Sequence, residues 1–253
     1  MRSILAELAR PLRPLRAALG FMTCVPVGGV AIDARVLARS LAFFPVVGVL
    51  LGLALLAAAA ALHQRLAPDL SAVLLLALLA ALTGGLHLDG LADVFDGLAG
   101  GRGDRTRTLA IMRDSRIGAA GATALFLHLA AKLLAVSTLL QHGTLWPLLA
   151  GPAVARGCAA LLIVAFPYAR AEGLGRAFAD HRRVSDLWPV LAMCGAVLVA
   201  GGMASLAPTL FALIAALACG ALLHRKLGGL TGDAYGASIE LAELVFWISA
   251  TES

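Results

Sequence analysis

Apolar positions fall along this chain in long blocks rather than in alternation. Residues 40–62 run for 23 positions without a charge; at 1.5 Å rise per residue, a helix of that length covers the roughly 30 Å of bilayer hydrocarbon. A shorter block covers 70–86. A third, 117–140, is interrupted only by His128 and Lys132, and a fourth, about 146–168, contains Arg156. Residues 187–223 carry no charge over 37 positions and hold Gly201, Gly202 and Pro208 near the middle. That is too long for one crossing and predicts a hairpin of two. The last block, 234–250, contains Glu240 and Glu243 and either crosses or dips. The pattern predicts an all-α, polytopic helical bundle of about six to seven transmembrane helices.

Composition agrees. Of the 253 residues, 60% are hydrophobic and 14% charged, against about 25% charged in soluble domains, and no soluble fold has the interior to hide that much apolar surface. At 6% aromatic residues the chain lacks the girdles of a lipid-facing barrel. Taking the blocks in alternation, 17 of the 20 Lys and Arg residues fall on one side and only Arg65 on the other. By the positive-inside rule that side, with the N-terminus, is cytoplasmic. The same bias explains the net charge of +5, so no nucleic-acid partner is inferred.

Five charges within the first 16 residues argue against a secretory leader. Cys24, Cys158, Cys194 and Cys219 are widely spaced and read as reduced thiols. The organisation predicted is one integral domain over 1–253, with a basic cytoplasmic segment at 1–39 and an acidic and arginine-rich cytoplasmic loop at 87–116. With no separate soluble domain, an active site must form where helix ends meet the cytoplasmic interface.

The chemistry concentrates in that loop. Asp89, Asp93 and Asp96 stand at i, i+4 and i+7, one face of a helix. Three carboxylates so close repel one another unless a cation sits among them, and oxygen-only ligands favour Mg²⁺, Mn²⁺ or Ca²⁺. His87 cannot share their face on a straight helix; a phosphate donor, a general acid or base and an interfacial histidine are all open for it. Arg113 and Arg116, with Asp114 between them in M-R-D-S-R-I-G, supply forks that match phosphate oxygens, whereas Arg102, Arg105 and Arg107 read as topology signals. Carboxylates and arginines in one loop point to phosphoryl or nucleotidyl chemistry. A second acidic set, Asp233, Glu240 and Glu243, also shares a helical face. Its glutamates lie in an apolar run, where an ionised group needs a partner: Lys132, Arg156 or a metal.

Strings spread over the whole chain carry a resemblance. L-T-G-G-L-H-L-D-G-L-A-D-V-F-D-G at 82–97 joined to I-M-R-D-S-R-I-G at 111–118 is specific, and F-P-V-V-G at 44–48, Y-A-R-A-E-G-L-G at 168–175 and L-G-G-L-T-G-D-A-Y-G-A-S-I-E-L-A-E at 227–243 follow the same order. The sequence resembles the cobalamin synthase family, adenosylcobinamide-GDP ribazoletransferases of bacterial and archaeal membranes. The resemblance implies a Mg²⁺-dependent transferase of the cytoplasmic (inner) membrane that joins adenosylcobinamide-GDP to α-ribazole or its 5′-phosphate and releases GMP, completing cobalamin assembly.

On this reading Asp89, Asp93 and Asp96 hold metal and take part in catalysis, with Glu240 and Glu243 as further metal ligands. Arg113, Asp114, Arg116, Arg170 and Asp233 bind substrate. His87 or a carboxylate of the second set takes the hydroxyl proton. The partners are the two small molecules and the lipid bilayer; a monomer and a homo-oligomer are both compatible. One departure stands out: the family's F-x-T/S string continues with arginine, where F-M-T-C-V-P-V-G-G has Cys24, which implies a weakened or relocated contact. Two alternatives compete. CDP-alcohol phosphotransferases place Ala-Arg two residues after Asp-Gly, and neither Asp89-Gly90 nor Asp96-Gly97 does so. A transporter would show inverted repeats and midplane charges, whereas here no repeat is seen and the acids crowd one interface.

Overall fold

The computed structural model describes residues 12–27, 33–63 and 65–252; the start of the basic segment, residues 1–11, lies outside them. The helices are α1 (Arg13–Met22), α2 (Ala34–Arg39), α3 (Phe44–Leu62), α4 (Pro68–Thr83), α5 (Leu86–Gly101), α6 (Arg105–Ile111), α7 (Ala119–Gln141), α8 (Trp146–Ala165), α9 (Leu174–His181), α10 (Leu187–Gly201), α11 (Leu206–Leu227) and α12 (Gly232–Ala250). Among the described residues no strand forms; a lone parallel bridge ties Tyr168 to Leu230. Starts are set locally. Proline opens α3, α4 and α8, where its missing N–H costs nothing, and Thr231 caps α12 by accepting from the N–H of Ala234 at 3.2 Å.

By length and composition, four helical stretches qualify to cross a membrane: Ala34–Leu62, Ala119–Gln141, Trp146–Ala165 and Val184–Leu227. A fifth arises if the bent pair Pro68–Thr83 and Leu86–Gly101 counts as one. The 44-residue stretch Val184–Leu227 folds back on itself, as its length predicts. Gly157 of α8 faces Cys194 of α10, Gly201 faces Trp146 at the other end of α8, and Gly220 of α11 returns to Leu162. Thus α10 and α11 run in opposite directions along α8. The core lies around α8 and α12: residues 147–160 of α8 are buried but for Leu149, and the Trp247 indole N–H donates to the Pro147 carbonyl at 2.8 Å.

The bend between α4 and α5 builds the site. Gly84 and Gly85 both take left-handed φ, +63° and +69°, which a side chain would resist, and the chain turns by 89°. Consequently α5 runs across the end of the bundle, nearly at a right angle to α4. Its residues meet the starts of α12 and α7: Gly90 packs on Asp233, and Asp96 on Gly118 and Gly121. The loop expected at 87–116 is therefore two helices, α5 and α6, laid over one end.

Candidate active site

Two cavities open at this end, and one carboxylate stands in the wall of both. The first, about 710 Å³, is lined by Thr23, Cys24, Asp89, Asp93, Ser115 and Arg116 among others. The second, about 470 Å³, has an apolar floor of Phe44, Ile163 and Ile239 and a polar rim of His87, Arg113, Tyr168, Arg170 and Asp233, with Asp89 again. Phe21 and Leu86 are the other side chains common to both. Gly90 lets this happen: a Cβ there would lie 2.8 Å from the carbonyl oxygen of Asp233, so the missing side chain brings the start of α12 up to Asp89 and Asp93.

Charge in this wall is not balanced by the protein. Burial, then repulsion from Asp89 and Asp233, pushes the Asp93 carboxyl up to about 7 despite help from Arg170. The Arg170 guanidinium donates to Asp233 at 2.7 Å. Arg113 has no carboxylate partner among the described residues and points its charge toward the second cavity's rim. Arg116 pairs with Asp114 through three side-chain bonds, 3.0, 3.2 and 2.6 Å, which together with the Arg116 backbone N–H hold the Asp114 carboxyl down at about 2. Asp114 thus shapes the turn that carries Arg116 on the wall of the first cavity.

Three of the residues singled out in the sequence sit elsewhere. Asp96 is drawn to the start of α7, where its two oxygens accept the N–H groups of Gly118 at 2.7 Å and Gly121 at 2.8 Å. Those donors have no partner within α7, and a carboxylate is the strongest acceptor available for them. Glu240 and Glu243 lie beneath the site in a buried network. The Lys132 ammonium donates to both, at 2.5 and 2.8 Å; His128 meets Glu240 at 2.8 Å, and Arg156 meets Glu243. In that network two cations face two anions, so the glutamates serve Lys132 and Arg156 where a metal was the other expectation. Among the described residues no three His, Cys, Asp or Glu side chains close into a metal-binding group, and the expected Asp89, Asp93 and Asp96 triad is reduced to its first two members with Asp233 beside them.

His87 is buried, on the opposite side of α5 from the exposed Asp89. Its Nδ1 faces the Arg156 guanidinium at 3.5 Å; a cationic donor there leaves the ring proton on Nε2. Sequence reasoning missed Phe21, Thr23 and Leu86 as wall residues. The signal for Phe21 and Thr23 was present in the F-M-T-C string: the backbone N–H of Cys24 donates to the Leu82 carbonyl at 2.8 Å, and this ties the α1 end to the α4 end beside the first cavity.

A family model described as cobalamin-5-phosphate synthase matches residues 14–251. An adenosylcobinamide-GDP ribazoletransferase of Pseudomonas aeruginosa is 42% identical over 233 residues, 92% of this chain and 95% of that protein. One from Escherichia coli is 42% identical over 241 residues, covering 92% and 97%, and one from Pseudomonas entomophila 42% over 234 residues, covering 91% and 95%. No solved structure matches the chain.

Proposed function

The chain belongs to the cobalamin-5-phosphate synthase family, as an adenosylcobinamide-GDP ribazoletransferase of cobalamin assembly, and we propose that its reaction takes place at the wall shared by the two cavities. The observation that carries this is Asp89, which faces both. A reaction joining two organic halves through one phosphate needs two adjoining chambers with the reacting phosphorus between them. In it, a ribose hydroxyl oxygen of α-ribazole or its 5′-phosphate bonds to the cobinamide-side phosphorus, the bond to GMP breaks, and the hydroxyl proton leaves.

The wall fits a divalent cation. Mg²⁺ is commonly held by one or two carboxylates, with waters and substrate phosphate completing its shell; Asp89 and Asp93 offer oxygen donors only, and the raised Asp93 marks uncompensated negative charge. Held there, Mg²⁺ would neutralise phosphoryl oxygens and the departing GMP. Arg113 and Arg170 at the rim orient the pyrophosphate, and their forks suit its oxygens. His87 presents an N–H on Nε2, a hydrogen-bond donor rather than a base. Asp233, the member of the second acidic set that lines the second cavity, accepts the hydroxyl proton, and Arg170 at 2.7 Å steadies it.

The test is GMP release by detergent-purified protein given adenosylcobinamide-GDP, α-ribazole and Mg²⁺, with no membrane gradient. Asp93→Ala is expected to lower the rate at least a hundredfold while the helical content stays that of the native chain. Native-level turnover in Asp93→Ala, or in native protein stripped of divalent cations, would overturn the metal wall.

A further inference from the structure

A third cavity, about 450 Å³, lies at the same end of the bundle but outside the site. Phe178 of α9 packs edge-on against Phe21 at 5.2 Å and Phe44 at 5.9 Å, and this aromatic wall separates it from the second cavity. Four arginines line it, Arg35 and Arg39 from α2 and Arg182 and Arg183 from the end of α9, with His181 and two aspartates. Both aspartates are engaged: Asp180 accepts from Arg176 at 3.0 Å, and Asp186 from the backbone N–H of Arg183 at 2.9 Å. None of the four guanidinium groups has a carboxylate partner among the described residues. With Asp180 matched by Arg176, Asp186 alone opposes the four guanidinium charges, and the positive surplus that remains around the hollow favours a further anion there.

What lies next to the hollow indicates which anion. Immediately after Arg183, Val184, Trp188 and Leu191 turn outward, 75%, 72% and 56% exposed; Trp188 and Leu191 share one face of α10, and Val184 lies in the 3-10 turn that leads into it. On a membrane helix such a stripe faces acyl chains, and tryptophan marks the depth of the headgroups. The arginines therefore open at phosphate depth directly beside a lipid-facing stripe. We propose that this hollow binds the phosphate of an anionic phospholipid, with the guanidinium forks on its oxygens and its acyl chains along Val184, Trp188 and Leu191. Basic hollows between helices at this depth are suited to such headgroups, and a zwitterionic lipid, which brings its own cation, is disfavoured there.

Native mass spectrometry of detergent-purified protein would test this, with titration by phosphatidylglycerol, phosphatidylcholine or glycerol 3-phosphate. Phosphatidylglycerol is expected to be retained at least tenfold more tightly than the other two. Arg182→Gln/Arg183→Gln should abolish that preference, while Arg225→Gln/Lys226→Gln, which removes the same charge from the same end, should keep it; melting curves of each variant verify folding. Equal retention of both lipids would overturn the proposal. So would an equal loss in the two variants, the mark of diffuse positive charge. Glycerol 3-phosphate bound as tightly as phosphatidylglycerol would reassign the hollow to a free phosphate ester.

Discussion

Glu243 gives the sharpest test of the buried network. Its carboxylate is wholly inaccessible and accepts from Lys132 at 2.8 Å and from Arg156. Glu243→Gln keeps the shape and an acceptor but leaves two buried cations facing Glu240 alone. Lys132 retains its 2.5 Å bond to Glu240; Arg156 is left with the Pro152 carbonyl at 3.3 Å and His87 at 3.5 Å. Removing one partner of a buried pair costs about 3–5 kcal/mol, because a charge is stranded, whereas replacing both by apolar residues of similar volume is often neutral or stabilising. Unfolding in mixed micelles, followed by far-UV circular dichroism against the mole fraction of SDS, should show Glu243→Gln about 3 kcal/mol less stable than the native chain. Arg156→Met/Glu243→Met, which restores balance between Lys132 and Glu240, should be more stable than either single variant. A Glu243→Gln cost below about 1 kcal/mol, or a double variant whose loss equals the sum of the singles, would refute the stranded-charge reasoning.

Three further outcomes follow from the site. Asp96→Ala should lower stability by about 1–2 kcal/mol, as loss of a helix cap does, with Asp96→Asn in between; thermal melts in detergent decide it. Gly90→Val should drive a side chain into the Asp233 backbone, cutting GMP release at least tenfold and costing about 1–3 kcal/mol, whereas Gly90→Ala should be milder on both counts. Arg170→Gln should raise the KM for adenosylcobinamide-GDP at least tenfold, with Arg170→Lys recovering part of it; steady-state kinetics that show an unchanged KM would remove Arg170 from substrate binding.

Much of this was legible before any fold was known. The charge-free 37-residue run states its own hairpin, because no single crossing needs that length, and the G-G at 84–85 marks a turn where the 89° bend occurs. Helical spacing correctly kept His87 off the face of Asp89. It failed for Asp96, because period says which side chains share a face but not which backbone donors arrive there, and the N–H groups that claim Asp96 come from 22 and 25 residues away. The second acidic set divided for a similar reason. Asp233 lies at the level of α5 and Glu240 and Glu243 lie about two and three turns further along α12, so a shared face delivered them to different neighbours. The pairing of Asp89 with two cavities had no sequence signal, since α1, α8 and α12 build those walls together.

The buried network also sets an order of assembly. Its cations belong to α7 and α8, yet their counterions arrive only with α12, 108 and 111 residues after Lys132. At a synthesis rate of about 5–20 residues per second, that gap is roughly 5–20 s. During it, Lys132 and Arg156 sit in nascent helices that each carry an insertion penalty of about 2.5–3.5 kcal/mol for a charge at mid-bilayer. The ribosome thus delivers the neutralising helix after the helices it neutralises, and a chain halted before Glu240 leaves Lys132 and Arg156 without the carboxylates that match them.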